Sequence, residues 1–251
     1  MSYKPYLNTA CQLAREASKH ILQNIDRLDR IKVQQKAADD YVTSVDKSIE
    51  QLIIMKIQEL YPEHDILTEE SGKHGSNGEY LWVIDPIDGT SNFISNIPIF
   101  AISIALLHNS EPVVGVIYQP MTDELFSACQ GQGAKLNNTR IRSSDSNHIT
   151  HLLLSLPKGS RVPDDLPSKV LKPLKTEYPR IRALGSAALS LAYQAAGRSQ
   201  MFYGRNLKLW DIAAGLIIAK EAGSVVQYQS ETNYAITEIV SGEQQAMTLS
   251  L

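Results

Sequence analysis

One stretch constrains this 251-residue chain more than any other: Trp82-Val83-Ile84-Asp85-Pro86-Ile87-Asp88-Gly89-Thr90. Its apolar start has strand character and asks to be buried, yet the run ends in two carboxylates. Any fold must therefore carry the end of that strand to a place where two anions are tolerated. Pro86 fixes its own φ and biases Asp85 towards an extended backbone, so the pair starts from restricted geometry. Close anions repel, and neither gains unless a cation or a proton sits between them. Oxygen-only ligands without His or Cys nearby point to a hard ion such as Mg²⁺. Gly89-Thr90 adds a permissive backbone and a hydroxyl where a small anion can approach. Taken alone, D-x-x-D also fits a solvated Asp-Pro turn that closes a strand.

Other segments bear on that choice. Ile66-Leu67-Thr68 runs into Glu69-Glu70-Ser71, Trp210-Asp211 opens the Ala/Gly-rich segment Ile212 to Gly223, and Asp46 follows Val42-Thr43-Ser44 at the start of a periodic helix. In this order, from about Lys36 to Val226, the segments resemble the inositol monophosphatase superfamily of Mg²⁺-dependent, often lithium-sensitive phosphatases. Each piece is weak by itself, and the combination EES, DPIDGT and WDIAAG is specific.

Composition narrows the setting. A net charge of −3 leaves no basic footprint for nucleic acid and no polybasic anchor. Cys11 and Cys129 are the two cysteines, in unlike contexts, which argues against a disulfide framework and for a reducing compartment. Met1 to Lys19 reads as mixed polar helix rather than a signal, and no apolar run reaches membrane-spanning length. The expectation is a cytoplasmic protein with no nucleic-acid and no membrane partner. Asn137-Asn138-Thr139 matches a glycosylation sequon and is read as a turn.

Periodicity predicts an amphipathic helix over roughly 3–27, from Cys11, Ala14, Ala17, Ile21, Leu22 and Ile25. A second helix carries Ile49, Leu52, Ile53, Ile57 and Leu60 on one face, with Thr43 or Ser44 as cap and Pro62 as stop. Strands are predicted at 80–84, 99–107, 112–119 and 124–128, and Gly131-Gln132-Gly133 reads as a hairpin turn rather than a nucleotide loop. Residues 143–180 carry five prolines and mark a seam between subdomains 1–145 and 146–251. Beyond it come a helix at 186–197, a strand near 201–203, a helix at 210–222 and strands near 224–228 and 236–240. Blocks of strands and helices indicate a layered α/β (α+β) fold. The resemblance implies an α-β-α-β-α sandwich of the inositol monophosphatase/fructose-1,6-bisphosphatase type. The chain stops at Leu251 without the closing helix of longer relatives, so its last strands are expected to pack differently.

The resemblance also implies roles. Glu69, Asp85 and the carbonyl of Ile87 would hold a first Mg²⁺; Asp85 would bridge to a second, completed by Asp88 and Asp211, with a third, weaker ion near Glu69. Metals of this kind clamp the attacking and leaving oxygens of an in-line displacement at phosphorus. Thr90 and Asp46 match positions that help activate the attacking water, although Asp46 alone would read as an ordinary first-turn acid at a helix N-terminus. Lys36 matches a lysine near the third-metal region, or is a surface lysine. Gly89 and Thr90 open a helix whose N–H groups would face the phosphate, and Gly185, Ser186 and Ala187 would border the substrate hydroxyls. Trp210 is read as packing that orients Asp211. Glu70 is read as solvent-facing or behind the direct ligands, and the six histidines form no catalytic pair by spacing.

One departure bears on substrate. Many inositol monophosphatases carry a sugar-binding glutamate seven residues before the tryptophan-linked aspartate; here that position is Gly204, followed by Arg205 and Asn206. Arg205 either recognises a second phosphate or points to solvent. The expected substrate is a small phosphorylated metabolite, an inositol monophosphate or related sugar phosphate. A 3′(2′),5′-bisphosphate nucleotidase and a histidinol-phosphate or fructose-bisphosphate phosphatase are the alternatives. Retention of Glu69, Asp85, Asp88 and Asp211 favours an enzyme, in homodimeric form by resemblance, over a regulatory binding protein with a vestigial site.

Overall fold

A computed structural model describes residues 2–25, 28, 31, 33–37, 40–76, 78–144, 151–156, 180–232 and 234–242, with backbone alone at 36, 37, 40, 231 and 232. The chain opens with helix α1 (Lys4–Ile25), then a two-stranded hairpin of β1 (Val33–Ala37) and β2 (Asp40–Thr43), then helix α2 (Ser44–Leu60). Thr43 caps α2: its hydroxyl accepts from the N–H groups of Val45 and Asp46, while Asp46 accepts from the Thr43 N–H in return. Such a box satisfies donors that a helix start leaves open.

The central sheet has eight strands: β3 (Asp65–Thr68), β4 (Gly72–His74), β5 (Tyr80–Asp88), β6 (Ala101–His108), β7 (Glu111–Gln119), β8 (Glu124–Cys129), β9 (Ala134–Leu136) and β10 (Thr139–Arg140). Their order is β10-β9-β8-β7-β6-β5-β3-β4, antiparallel except for the β3–β5 pair. Helices cover both faces, so the middle strands are apolar throughout instead of alternating. Trp82, Ile84, Ile102, Ile104 and Leu106 meet Ala14, Ala17, Ile49, Ile53 and Ile57 of α1 and α2. Each fully buried isoleucine there contributes about 1.5–3 kcal/mol. The other face, with Val83, Ala105, Ile117 and Phe126, meets α4 (Ala187–Ala195) and α5 (Leu209–Glu221).

A second sheet of five strands lies beyond those helices: β11 (His151–Ser155), β12 (Arg180–Ala183), β13 (Met201–Lys208), β14 (Val225–Thr232) and β15 (Ala235–Gly242), in the order β12-β11-β13-β15-β14. Leu153, Phe202 and Ile239 pack on Leu191, Ile212 and Leu216 of α4 and α5. The layers read α-β-α-β among the described residues, and the region 157–179 lies outside them. The layered α/β expectation holds. No helix among the described residues is long and apolar enough to cross a membrane.

Several boundaries differ from the sequence reading, for physical reasons. β5 continues to Asp88, and its register against β6 shifts between Asp85 and Asp88, where Pro86 has no N–H to donate. β13 runs on beyond the expected 201–203, through Gly204-Arg205-Asn206 to Lys208. β11 sits within the stretch expected to be irregular, its core being only Leu152-Leu153-Leu154. The hairpin at Gly131-Gln132-Gly133 is present between β8 and β9, and the Glu221 carboxylate accepts the N–H groups of Gly131 (2.7 Å) and Gly133 (2.6 Å). α5 lies directly on β7: a side chain at Gly115 would collide with Ile217 and with the Ala214 backbone. That close approach brings the first turn of α5 over the carboxylate end of β5.

Candidate functional site

The end of β5 is where three parts of the chain meet. Helix α3 (Thr90–Ile94) follows at once, with Gly89 as its N-cap at φ +98°, a backbone that only glycine adopts freely. The same glycine has no room for a side chain, since Ile99 and Gly185 carbonyl oxygens stand 3.1 and 3.2 Å from where a Cβ would be. From the other side, α5 delivers Asp211 in its first turn, where its carboxylate accepts the Lys208 N–H at 2.7 Å. The Trp210 carbonyl accepts from Ser103 Oγ at 3.2 Å and ties that turn to β6. Trp210 packs among the partly buried apolar residues on that face.

Asp85, Asp88 and Asp211 each offer an oxygen within 4.8 Å of the others. Glu69, at the end of β3, lines the same cavity of about 540 Å³ and stands against Asp85. Burial drives the Asp85 carboxyl well above the usual range, and the charges of Glu69, Asp88 and Asp211 push it further. Asp88 is raised to about 6 by burial, against the pull of hydrogen bonds from Ser186, Ala188 and Ala187. Asp211 is raised by burial and by the Asp88 charge, with the Lys208 N–H opposing. No lysine, arginine or histidine is among the described residues lining this cavity. Four carboxylates so disposed fit a divalent, oxygen-preferring cation, because no cationic side chain is among the described lining residues to offset their repulsion.

The neighbouring contacts assign work to the other expected residues. Asp88 accepts from Ser186 Oγ, from the Ala188 N–H at 2.9 Å and from the Ala187 N–H at 3.3 Å. Gly185 and Ala187 line the cavity, while Ser186 is buried, holding Asp88 and capping α4. Thr90 Oγ1 lies 2.9 Å from the Ile87 carbonyl and 3.3 Å from Asp46 Oδ1. Ile87 lines the cavity, and its carbonyl keeps a free lone pair whether the one hydrogen of Thr90 Oγ1 turns to it or to Asp46. Asp46 is fully buried, and burial raises its carboxyl despite the hydrogen bonds from Thr43 and Thr90. It is thus a first-turn capping acid and a partner of Thr90 at once.

Other expectations resolve differently. Arg205 is not among the lining residues; its neighbours Asn206 and Leu207 are. The Gly204 position faces Phe202, Leu207 and Ile239, so no carboxylate-bearing side chain fits there without repacking. Glu70 is not in the lining either, and its N–H is held by the buried Glu50 at 2.9 Å, which anchors the turn after Glu69. The Lys36 side chain lies outside the described part. Sequence reasoning missed Tyr41, Asn92, Ser155 and Asn206 as lining residues. Asn92 ties two segments of the wall together through Nδ2, donating to the carbonyls of Ile99 (2.7 Å) and Leu184 (2.8 Å). Nothing local marks these four, since none sits in a motif of charged or nucleophilic residues.

Comparison with known proteins adds a separate line. Residues 2–248 match the family described as the inositol monophosphatase family. The chain is 42% identical over 243 residues to the Nus factor SuhB of Escherichia coli K12, covering 95% of this chain and 91% of that one. It superposes on an inositol monophosphatase from Anabaena (Nostoc) sp. PCC 7120 with a TM-score of 0.79 and 34% identity, over 97% and 93% of the two chains. A third relative, SaIMPase-II solved with inositol monophosphate bound, gives a TM-score of 0.75 at 28% identity, over 95% and 88%.

Proposed function

The chain belongs to the inositol monophosphatase family, and from that membership we propose that it is a Mg²⁺-dependent phosphomonoesterase acting on a small phosphate ester, an inositol monophosphate or related sugar phosphate. The observation that carries the proposal is the meeting of Asp85, Asp88 and Asp211 within 4.8 Å, with Glu69 beside them. In this reading those four carboxylates and the Ile87 carbonyl hold the metal. When bound, Mg²⁺ supplies Lewis-acid stabilisation of phosphoryl charge and lowers the pKa of water.

The chain's own groups do the rest. Asp46 Oδ1 is placed to accept a proton from Thr90 Oγ1 while that hydroxyl takes one from the attacking water, so one proton moves at each oxygen. The raised proton affinity of Asp46 suits an acceptor. Ser186 and the N–H groups of Ala187 and Ala188 fix Asp88, while the Lys208 N–H fixes Asp211. Gly185 and Ala187, being small, leave room for the alcohol part of the ester. The absence of lysine and arginine from the described lining supports an ester of a neutral polyol over a bisphosphorylated substrate. The relative solved with inositol monophosphate bound points the same way.

Inositol 1-phosphate hydrolysis measured with Mg²⁺, with excess chelator and after Mg²⁺ is restored tests the proposal. Phosphate release should vanish and return. Undiminished release in chelator would overturn it. Lithium inhibition and a homodimer belong to the same reading and rest on family likeness alone, whereas a cytoplasmic setting rests on the unlike contexts of Cys11 and Cys129 and the polar N-terminal helix.

A second reading, a regulatory binding role, is favoured by the relatives named Nus factor SuhB. They withdraw support from the expectation of no nucleic-acid partner, which rested on net charge. Such a role would survive an Asp88→Asn change that stops phosphate release, and the catalytic role would not.

A further inference from the structure

In the middle of β13, Asn206 has φ +51°, the left-handed region that asparagine tolerates better than other non-glycine residues. The β13–β15 ladder pairs Arg205 with Glu238 and Leu207 with Ile236 and passes over Asn206. A strand interior gains nothing from such a backbone, which breaks the alternation that would otherwise turn position 206 to the opposite face from 205 and 207. The cost falls at a residue that is exposed, lines the cavity and makes no hydrogen bond to any described residue. Strain held at a cavity wall is commonly tied to what the cavity binds.

The surroundings define the ligand chemistry. Ser155, at the end of β11, pairs in register with Gly204, two residues before Asn206, so one rim of the small sheet presents a hydroxyl and a carboxamide side by side. Opposite stand the carboxylates of Asp85, Asp88 and Asp211. A carboxamide offers both donor and acceptor atoms and no charge, which suits an alcohol hydroxyl and contributes little to a second phosphate.

Resting on the phosphatase reading above, we infer that Asn206 is a specificity-determining residue that hydrogen-bonds a free hydroxyl on the alcohol portion of the ester. The phosphoryl group lies at the carboxylate end, and the hydroxyl-bearing carbon skeleton extends towards the rim of the small sheet. Recognition of the ester is thereby divided between the two sheets.

Two esters of the same skeleton test this on the full chain with Mg²⁺: glycerol 2-phosphate, which has two free hydroxyls, and isopropyl phosphate, which has none. The unmodified protein should prefer glycerol 2-phosphate in kcat/KM by at least about three- to tenfold, the worth of one neutral hydrogen bond. Asn206→Gly should reduce that preference by a similar factor, through a higher KM for glycerol 2-phosphate, with isopropyl phosphate unchanged. Because glycine adopts a positive φ freely, the variant should match or exceed the parent in Tm. A preference near one in the parent, or an unaltered preference in Asn206→Gly, overturns the inference. So does a variant that melts several degrees lower or fails to fold, since the strain argument then fails. A parent that hydrolyses neither these esters nor inositol 1-phosphate refutes the phosphatase reading itself, whereas activity on inositol 1-phosphate alone, or hydrolysis of both esters with an unchanged preference in the variant, refutes only the role of Asn206.

Discussion

On one side of the cavity β5 ends in Asp85 and Asp88, both buried, with Asp88 gripped by Ser186 and two backbone N–H groups. On the other, β13 runs past Arg205 and Asn206, side chains with no hydrogen bond to a described residue. The first wall is rigid because its charges are out of water and every acceptor atom matters; a misplaced carboxylate there has nowhere to relax. The second is free because polar side chains in contact with solvent cost little in any orientation. Chemistry common to a family belongs on the first kind of wall and choice of substrate on the second.

The largest expected effect comes from the charged wall. Asp88→Asn and Asp211→Asn each keep side-chain size while removing a charge that an ion would need and turning one acceptor oxygen into a donor. We expect phosphate release to fall more than about a hundredfold, since even outer partners of a metal site cost ten- to a hundredfold. The same variants should lose most of the rise in Tm that Mg²⁺ gives the parent, which thermal melts with and without the ion would check. A variant with full activity breaks the distinction between the walls at once.

Asp46→Asn comes next and separates two jobs of one residue. Activity should fall about ten- to a hundredfold, because the acceptor for Thr90 loses its basicity. Thr43→Ala removes the cap hydroxyl while leaving Asp46 Oδ1 and Thr90, so it should cost about 1 kcal/mol of stability and much less activity. Equal losses of activity in the two would reduce Asp46 to a cap. The pH dependence has a definite sign. Burial raises the folded-state pKa of Asp46 above its unfolded value, so its contribution to stability is fully present at low pH and is lost as pH rises through the folded value. The asparagine variant lacks that loss, and its deficit in Tm relative to the parent should shrink as pH rises above the ordinary carboxylate value of 3.8.

Ser186→Ala should have a smaller effect, about tenfold in kcat/KM, with about 1 kcal/mol lost from the cap of α4. Ser186 was expected to border substrate hydroxyls. A rise in KM with kcat unchanged would restore that role, whereas a fall in kcat places it behind Asp88.

How far the sequence could be read follows the same division. The ends of α2 were legible because capping and helix-stopping are local: Thr43 at one end, Pro62 just past the other. The carboxylates were legible because Asp-Pro-Ile-Asp carries its own geometry and because the family match supplied Glu69 and Asp211. β11 was not, since three leucines between His151 and Ser155 carry too little period to tell strand from loop. The bond from Ser186 to Asp88 spans 98 positions, and no spacing rule reaches that far. Asn206 is the sharpest case. Alternation along a strand decides whether 205 or 206 meets the cavity, and one residue at φ +51° breaks the alternation. Arginine drew attention by its charge, while the neutral neighbour took the place.

Arg205→Ala therefore provides the smallest predicted effect and the finest test of the second wall. Arg205 is half-buried, sits across from Glu238 in the ladder and is absent from the cavity lining. Glu238 accepts from the Tyr203 hydroxyl at 2.5 Å, and Arg205 makes no ion pair with any described residue. An arginine so placed acts on a ligand only through a screened, long-range field, worth little beyond a Debye length. Its removal should change kcat/KM for inositol 1-phosphate and for 3′-phosphoadenosine 5′-phosphate by no more than about twofold, and equally. A loss of tenfold or more confined to the doubly phosphorylated nucleotide would require the guanidinium to reach the second phosphate. The strand would then have to turn Arg205 inward when substrate binds, and the neutral wall would become a charged one.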